Sequence, residues 1–384
     1  MNRRSFVAAG GLLAAGAAFR TAAGSAAITG KPDPTLFKTV DFAADGLGLS
    51  PREYTTLLDQ LAATHELQAD YYSNGGLVED LERTFARVLG KERAILLPTG
   101  TLANHLAVRK LAGADRRVLV QAESHLYNDS GDCAQILSGL NLIPLAAGNS
   151  TIELTEVQRW LDRSAGGRVE TKVGVISIET PVRRRDHQMF SLDELRRICA
   201  YARGRGIRLH LDGARMFNLP HHSGVGLQEF AALFDTVYVS VWKHFNGAAG
   251  AILAGDESFI EGLFHTRRLF GGSLHNLWPT VALAAQFVDG YQADYAKAWD
   301  AADELIARLA ADDRFEVRKV PDGTSRFLLT VRGAKPAPFS ERLAKKGVML
   351  PQPKPDSATF PMQVNPTLAR TSPQALSRLF VEAA

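Results

Sequence analysis

Cysteine is nearly absent from this sequence of 384 residues, which contains only Cys133 and Cys199. Two cysteines are too few for a disulfide framework, and we expect both to be packing residues. Net charge is also nearly absent, because 44 lysines and arginines face 41 acidic residues. The excess of three comes from residues 1–27, which hold three arginines and no acid, so the rest of the chain is neutral. A nucleic-acid partner is therefore not expected.

The N-terminal segment has the composition of an export signal. Arg3 and Arg4 are followed by an uncharged run over residues 6–19 and then by small residues. The run is shorter than the about 20 residues that a membrane-spanning helix needs, so we expect no stable membrane span. The pattern predicts a twin-arginine signal over residues 1–27, with cleavage near residues 23–27 and a periplasmic mature protein.

Beyond this segment, short apolar runs alternate with helical patterns, which is typical of an α/β protein. The alternation predicts at least six core strands. These are residues 94–97, 118–121, 173–178, 207–211, 236–241 and 251–254. Between two of them, Ser191 and Glu194 have the spacing of a capping box, and the apolar residues that follow recur at helical intervals. A strand-helix-strand unit is therefore predicted there.

The C-terminal quarter of the chain has a different pattern. A long helix is predicted over residues 286–309, followed by a strand over residues 326–331 and a tail that prolines interrupt. This change predicts a smaller C-terminal α+β domain over residues 286–384. Before it we expect an N-terminal arm over residues 28–60 and a large domain over residues 61–285.

Three stretches at the ends of predicted strands carry residues suited to catalysis. Asp212 ends one strand, and Lys243 follows another. Thr99, Gly100 and Thr101 lie between a strand and a helix, where free backbone N–H groups can hold a phosphate. Each alone has an ordinary explanation. Asp212 can be a turn former, Lys243 a surface charge and residues 99–101 a simple turn. Together they supply what pyridoxal phosphate requires, which is a lysine for its aldehyde, an acid for its pyridine nitrogen and donors for its phosphate.

Longer motifs surround these residues. They are LLPTGTLANHLAV over residues 96–108, SHLY over 124–127, IET over 178–180, HLDGARMFN over 210–218, VSVWK ending at Lys243 and RRLFGGSL over 267–274. With these motifs the sequence resembles, from about Tyr72 to Leu283, the threonine aldolase and β-eliminating lyase group of fold-type-I pyridoxal phosphate enzymes. The resemblance implies pyridoxal phosphate as cofactor, an amino acid as substrate and a homodimer or homotetramer. It also implies a mostly parallel sheet between layers of helices.

The resemblance implies roles for individual residues. Lys243 would bind the cofactor aldehyde covalently, Asp212 would pair with the pyridine nitrogen, and His125 would stack on the ring and take part in proton transfer. For His125, the alternative is a buried histidine that is hydrogen-bonded in the core. Arg215 would lie near the phosphate or the substrate carboxylate, and Tyr72 would reach the active site of a partner subunit. The implied cofactor-binding set is Thr99, Gly100, Thr101, His125, Glu179, Asp212, Arg215 and Lys243.

Several family positions differ in this chain. The N-terminal Ser-Asp-Thr segment of the family has no counterpart near residues 41–43, and its Asn-Thr-His-Asn loop is replaced by residues 180–185. The serine before the lysine is Trp242. The late arginine that should bind the substrate α-carboxylate falls on Met362 or Gln363.

A carboxylate prefers a cationic, bidentate partner. Arg183, Arg184 and Arg185 in the replaced loop are the candidates, and we assign substrate binding to Arg184 together with Tyr72 and Arg215. The alternative is that the three successive arginines form a solvated charged surface.

These features predict a lyase that cleaves the Cα–Cβ bond of a β-hydroxy-α-amino acid to glycine and an aldehyde. β-Elimination or transamination is the second interpretation, because the residues specify the cofactor better than the bond broken. An exported binding protein without catalysis is the third; the missing carboxylate arginine favours it, and the retention of Lys243 and Asp212 opposes it. His221 and His222 have no cysteine or acid at ligand spacing, so no metal is expected.

Overall fold

A seven-stranded sheet lies at the centre of the computed structural model, which describes residues 36–384. In that range the strands are β1 (Val40–Asp41), β2 (Arg93–Leu97), β3 (Arg117–Gln121), β4 (Asn141–Leu145), β5 (Val173–Glu179), β6 (Arg208–Asp212), β7 (Thr236–Ser240), β8 (Ala251–Gly255), β9 (Phe315–Lys319), β10 (Arg326–Val331), β11 (Val348–Met349) and β12 (Thr359–Gln363). The order in the central sheet is β2-β8-β7-β6-β5-β3-β4. Strand β8 is antiparallel to both of its neighbours, and the other strands of the sheet run in one direction.

Helices pack on both faces of the central sheet. The described helices are α1 (Pro51–Thr64), α2 (Gly76–Leu89), α3 (Gly100–Ala112), α4 (His125–Asn128), α5 (Cys133–Ser138), α6 (Leu154–Ala165), α7 (Leu192–Arg203), α8 (Leu219–Ser223), α9 (Leu227–Ala232), α10 (Val241–His244), α11 (Glu257–Glu261), α12 (Leu263–Leu269), α13 (Trp278–Val281), α14 (Ala284–Val288), α15 (Tyr291–Ala310), α16 (Pro336–Ala344) and α17 (Pro373–Ala383). Successive residues of β2 point to opposite faces, so Leu96 joins one apolar cluster with Phe85 of α2, and Leu97 joins another with Leu106 of α3. A sheet buried on both faces explains why its strands are continuous apolar runs.

A smaller antiparallel sheet, in the order β12-β10-β9, forms the C-terminal part. The residues before α1 pack with this part, because β1 pairs in parallel with β11. Phe42, directly after β1, makes edge-on ring contacts with Phe327 and Phe380. Residues Phe37–Ala384 form one compact unit. The domain limits expected near residues 60 and 286 stay a prediction.

All six predicted strands are present, and the predicted α/β class is confirmed. Strand β4 was not predicted, because Pro144 interrupts its short apolar run. The strand lies at the edge of the sheet, where a residue without a backbone N–H is tolerated.

Two local predictions need correction. The long helix expected over residues 286–309 is two helices, because α14 ends at Val288 and α15 begins after Gly290. The capping box before α7 is only half formed. Ser191 Oγ accepts from the backbone N–H of Glu194, whereas the Glu194 carboxylate accepts from the backbone N–H of Leu154 at 2.8 Å.

Both cysteines are free. Cys199 is buried on the apolar face of α7, where we expected a packing residue, and burial raises the pKa of its thiol to about 12. Cys133 is half-buried at the start of α5. A protonated, buried thiol such as Cys199 contributes to the core in the way a small apolar side chain does.

The predicted export signal over residues 1–27 lies outside the described residues and stays a prediction, as does the periplasmic location. Within residues 36–384, every helix is either too short or too polar to cross a membrane.

Candidate active site

The carboxyl ends of neighbouring parallel strands meet at one edge of the central sheet, where the predicted residues come together. Glu179 ends β5, Asp212 ends β6, and Lys243 lies in α10 directly after β7. In register, Asp212 lies opposite Glu179 on one side and Tyr238 on the other. These residues line one small cavity. Its full lining is His125, Glu179, Arg183, Asp212, Ala214, Arg215, Tyr238 and Lys243.

Asp212 is held by a chain of buried hydrogen bonds. Nδ2 of Asn104, on α3, donates to Asp212 Oδ2 at 2.6 Å, and the backbone N–H of Ala214 donates to Oδ1 at 3.2 Å. Oδ1 of Asn104 lies 2.9 Å from Nε2 of His210, and Nδ1 of His210 lies 2.8 Å from Oγ1 of Thr236. The orientation of the carboxylate is therefore set by residues from a helix and two strands.

The protonation of this chain follows from its geometry. Burial lowers the pKa of His210 to about 4, so its ring is neutral. Because Asn104 donates to Asp212 through its amide nitrogen, its oxygen must accept, and Nε2 of His210 carries the ring proton. The sequence analysis did not predict Asn104 or His210 as site residues. The available signal was the spacing of His210 and Asp212, two apart on β6, which places them on the same face.

Lys243 is 9% exposed. Within residues 36–384 its amino group has neither a hydrogen-bond nor an ion-pair partner. Its Nζ lies 5.3 Å from the centre of the Trp242 ring. Burial, and then the nearby Arg215 guanidinium, lower the pKa of Lys243 to about 8. A lysine acts as a nucleophile in its neutral form, so this environment increases the reactive fraction near neutral pH.

The N-terminus of α3 has the properties of an anion site. Oγ1 of Thr99 accepts from the backbone N–H of Leu102 at 3.2 Å and caps the helix. The N–H groups of Gly100 and Thr101 have no partner among the described residues. A Cβ at Gly100 would overlap the Tyr238 hydroxyl, so glycine is what lets that phenol reach the start of the helix. Two free N–H groups and the positive end of the helix dipole suit a phosphate.

Glu179 connects two loops at the cavity. Its carboxylate accepts from the backbone N–H of His125 at 2.6 Å and from that of Arg183 at 2.8 Å. Burial, and then the nearby Asp212, raise the pKa of Glu179. The His125 ring is half-buried, has Nδ1 3.3 Å from Ser130 Oγ and lines the cavity. The ring therefore lies at the cavity and is not fully buried in the core, and its role on the cofactor stays a prediction.

Arg215 makes a buried, bidentate ion pair with Asp45. Its Nε lies 2.7 Å from Oδ1 and its Nη2 lies 2.8 Å from Oδ2. Burial would raise the pKa of Asp45, but the guanidinium outweighs it and holds that pKa well below its usual range. A Cβ on the next residue, Gly46, would overlap the backbone oxygen of Lys243, so this loop packs directly on the lysine.

The sequence analysis did not predict Asp45 as a residue near the site, and it found no counterpart of the family's Ser-Asp-Thr segment near residues 41–43. Asp45 lies two residues beyond that stretch. Local sequence gave no reason to pair it with Arg215, which is 170 residues away along the chain.

Two residues assigned to substrate binding lie away from the cavity. Arg184 is exposed, and its Nη2 lies 2.8 Å from Oδ1 of Asp129. The guanidinium of Arg183 pairs with the same carboxylate, and of these two arginines only Arg183 lines the cavity. Tyr72 packs against the His275 ring at a centroid distance of 5.3 Å. Its contact with a partner subunit stays a prediction.

A mostly parallel sheet with a buried lysine after one strand, an acid at the end of the next and an anion site at a helix N-terminus has the architecture of the fold-type-I pyridoxal phosphate enzymes. A family model described as beta-eliminating lyase matches residues 53–324. The chain therefore belongs to the beta-eliminating lyase family, which confirms the predicted family and fold class.

Individual relatives agree with this family. The chain is 29% identical over 196 residues to the low specificity L-threonine aldolase of Saccharomyces cerevisiae, a match that covers 50% of each chain. It is 28% identical over 261 residues to the low-specificity L-threonine aldolase of Eremothecium gossypii, covering 67% of this chain and 66% of the relative. This chain thus spans about half to two thirds of the length of these curated relatives.

A solved structure matches over a greater length. The structure of a protein assigned as an L-allo-threonine aldolase, from Listeria monocytogenes, superimposes with a TM-score of 0.74 at 28% identity. The match covers 90% of this chain and 95% of that one. The likeness therefore extends over more of the chain than the family model, which matches residues 53–324.

Proposed function

We propose that this protein is a pyridoxal phosphate-dependent lyase that cleaves β-hydroxy-α-amino acids into glycine and an aldehyde. The observation that carries the proposal is one cavity lined by Lys243, Asp212 and His125, with the N-terminus of α3 beside it. The names of the relatives, all threonine aldolases among those described above, support cleavage between Cα and Cβ.

The residues present fit this cofactor. Among the described residues, Lys243 has a buried amine without a partner for the aldehyde, and Gly100 and Thr101 have N–H groups without a partner for the phosphate. Asp212 has an oriented carboxylate for the pyridine nitrogen. Tyr238, on β7, adds a hydroxyl beside Gly100 at the same helix end. When bound, pyridoxal phosphate would supply an electron sink for the pair released from the Cα–Cβ bond.

The chain's own residues would position the substrate and move protons. The Asp212 carboxylate would keep a proton on the ring nitrogen, and Asn104 would hold that carboxylate in place. His125 would accept the proton of the substrate β-hydroxyl, while Glu179 holds its backbone. Lys243, whose lowered pKa increases the neutral fraction of its amine, would accept and return a proton once the substrate amine has taken its place.

A larger cavity adjoins Lys243 and has a volume of about 690 Å³. Leu49, Tyr54 and Trp242 contribute apolar surface to its lining, and Asp45 contributes charge. A space of this size next to the lysine supports substrates whose β-substituent is larger than the methyl group of threonine. We therefore include an aromatic β-hydroxy amino acid among the test substrates.

The products of the reaction test the proposal. Purified protein supplied with pyridoxal phosphate and with threonine, allo-threonine or phenylserine is expected to release glycine and an aldehyde in equal amounts. Amino-acid analysis and an aldehyde assay measure the two products. Ammonia with a 2-oxo acid would indicate β-elimination, and consumption of an added 2-oxo acid as amino acceptor would indicate transamination; either result would contradict the proposed cleavage.

The pKa of Lys243 predicts how cofactor uptake depends on pH. Protein stripped of cofactor should react with pyridoxal phosphate at a rate that rises about tenfold per unit below pH 8, because the neutral amine is the reacting form. Above about pH 8 the rate should level off, since the amine is then mostly neutral. Stopped-flow absorbance measures the rate. A rate that continues to rise to pH 10 would show a lysine with its ordinary pKa of 10.5.

A further inference from the structure

Strand β12 decides which residue occupies the position of the family's carboxylate-binding arginine. Side chains alternate along a strand, and Met362 is fully buried in the main apolar core. Gln363 faces the other way, and its Nε2 lies 3.4 Å from Oδ1 of Asp45. The residue next to the active-site ion pair is therefore Gln363, which is neutral and cannot replace an arginine.

An arginine lies directly across the strand pair from this glutamine. Arg326 begins β10, and the antiparallel register places it opposite Gln363. Paired residues of neighbouring strands project to the same face, and Nε of Arg326 donates to Oε1 of Gln363 at 3.3 Å. Arg326, Gln363, Asp45 and Arg215 thus form a continuous series of contacts that leads into the site.

We infer that Arg326 binds the α-carboxylate of the amino-acid substrate, an inference that rests on the proposed function. Its side chain is 24% exposed, so it is mostly buried and still accessible. Nη1 lies 3.7 Å from the nearest Asp186 oxygen, beyond hydrogen-bond distance, and Asp186 is held by Lys354 at 2.6 Å. Nη2 has no partner within residues 36–384. Two terminal nitrogens without hydrogen bonds are the planar fork that binds a carboxylate.

The surroundings of Arg326 contain a second unpartnered group. His187 is fully buried, its Nδ1 lies 2.7 Å from Ser325 Oγ, and within the described residues its Nε2 has no hydrogen-bond partner. Arg215, Arg326 and Lys243 all act electrostatically on His187. A buried polar atom without a partner is costly, and an incoming polar ligand can satisfy it.

The arginines of the replaced loop are worse placed for this role. Arg183 and Arg184 share the carboxylate of Asp129, so each would have to give up a charged partner before it could bind a substrate. Arg326 also faces an acid, Asp186, but at 3.7 Å and without a hydrogen bond. Its single hydrogen bond within the described residues is to the neutral Gln363, so it loses no hydrogen bond to an acid when it binds a substrate.

Ligand binding to the cofactor-loaded protein tests the inference. The ligands are glycine and glycinamide, which share an amine and differ in the carboxylate, and the readout is the change in visible absorbance on titration. Arg326→Gln should raise the dissociation constant of glycine about ten- to a hundred-fold, as expected for losing a charge-assisted contact, and should leave that of glycinamide unchanged. Arg326→Lys, which keeps the charge but not the fork, should lie in between. Arg332→Gln, an exposed change just after β10, is the matched control and should bind both ligands like the original protein.

The outcomes separate the inference from the function on which it rests. If the unmodified protein shows no spectral response to glycine, the proposed function fails. If it responds and Arg326→Gln binds glycine equally well, Arg326 is not the carboxylate partner. A selective loss of glycine binding in Arg183→Gln or Arg184→Gln, with Arg326→Gln unaffected, would also overturn the inference and place the carboxylate at the loop. An equal loss of both ligands in Arg326→Gln and Arg326→Lys would show that the arginine supports the fold only.

Discussion

Lys243→Ala is expected to lower the turnover of phenylserine by at least about a thousand-fold, because the amine is both the attachment point and the proton carrier in the proposed reaction. The same variant should lose the covalent link to the cofactor. Borohydride treatment of the original protein should leave the reduced cofactor on the peptide that contains Lys243, and peptide mass spectrometry measures it. The buried amine, without a partner in the described part of the chain, is the reason to expect reaction at this lysine.

An exposed lysine provides the control for this experiment. Lys297→Ala removes an amine from the surface of α15 and should change neither turnover nor the labelled peptide. If Lys243→Ala retains a borohydride-reducible adduct at the original level, the attachment point lies elsewhere and the site assignment is wrong.

Asp212→Asn is expected to lower turnover about a hundred- to a thousand-fold while the cofactor remains bound. A neutral amide cannot stabilise a proton on the pyridine nitrogen, so the ring accepts electrons poorly. Asp212 also accepts two hydrogen bonds, from Asn104 Nδ2 at 2.6 Å and from the backbone N–H of Ala214 at 3.2 Å, and the amide nitrogen of an asparagine can accept neither. The variant therefore loses one of these two hydrogen bonds. Steady-state kinetics measures the turnover, and absorbance after gel filtration measures the retained cofactor.

The exposed Asp193 in the first turn of α7 is a matched position for comparison, and Asp193→Asn should leave turnover unchanged. Near-normal turnover in Asp212→Asn would show that the aspartate only shapes the turn after β6. Loss of cofactor in that variant would show that the carboxylate acts in binding and not in electron withdrawal.

The sequence by itself determined the α/β class and predicted the residues that meet at the centre of the candidate site. Alternating apolar runs and helical patterns predict a sheet between helices, because parallel strands must bury both faces. Asp212, Lys243 and Gly100 could be predicted because each lies at the end of a strand or within three residues after it. The edge at which parallel strands end follows from topology and needs no side-chain detail.

Only the tertiary structure decided which charges meet around that centre. Asp45 pairs with Arg215, and Arg326 lies beside Gln363, through contacts between segments that are far apart in the chain. Arg184, the residue assigned to substrate binding from the sequence, forms an ion pair with Asp129 on a neighbouring loop. A charged residue in a loop shows no periodicity, so its partner depends on how strands and loops pack in space. The physical reason is that ion pairs are set by distance and burial, and neither quantity is encoded by spacing along one segment.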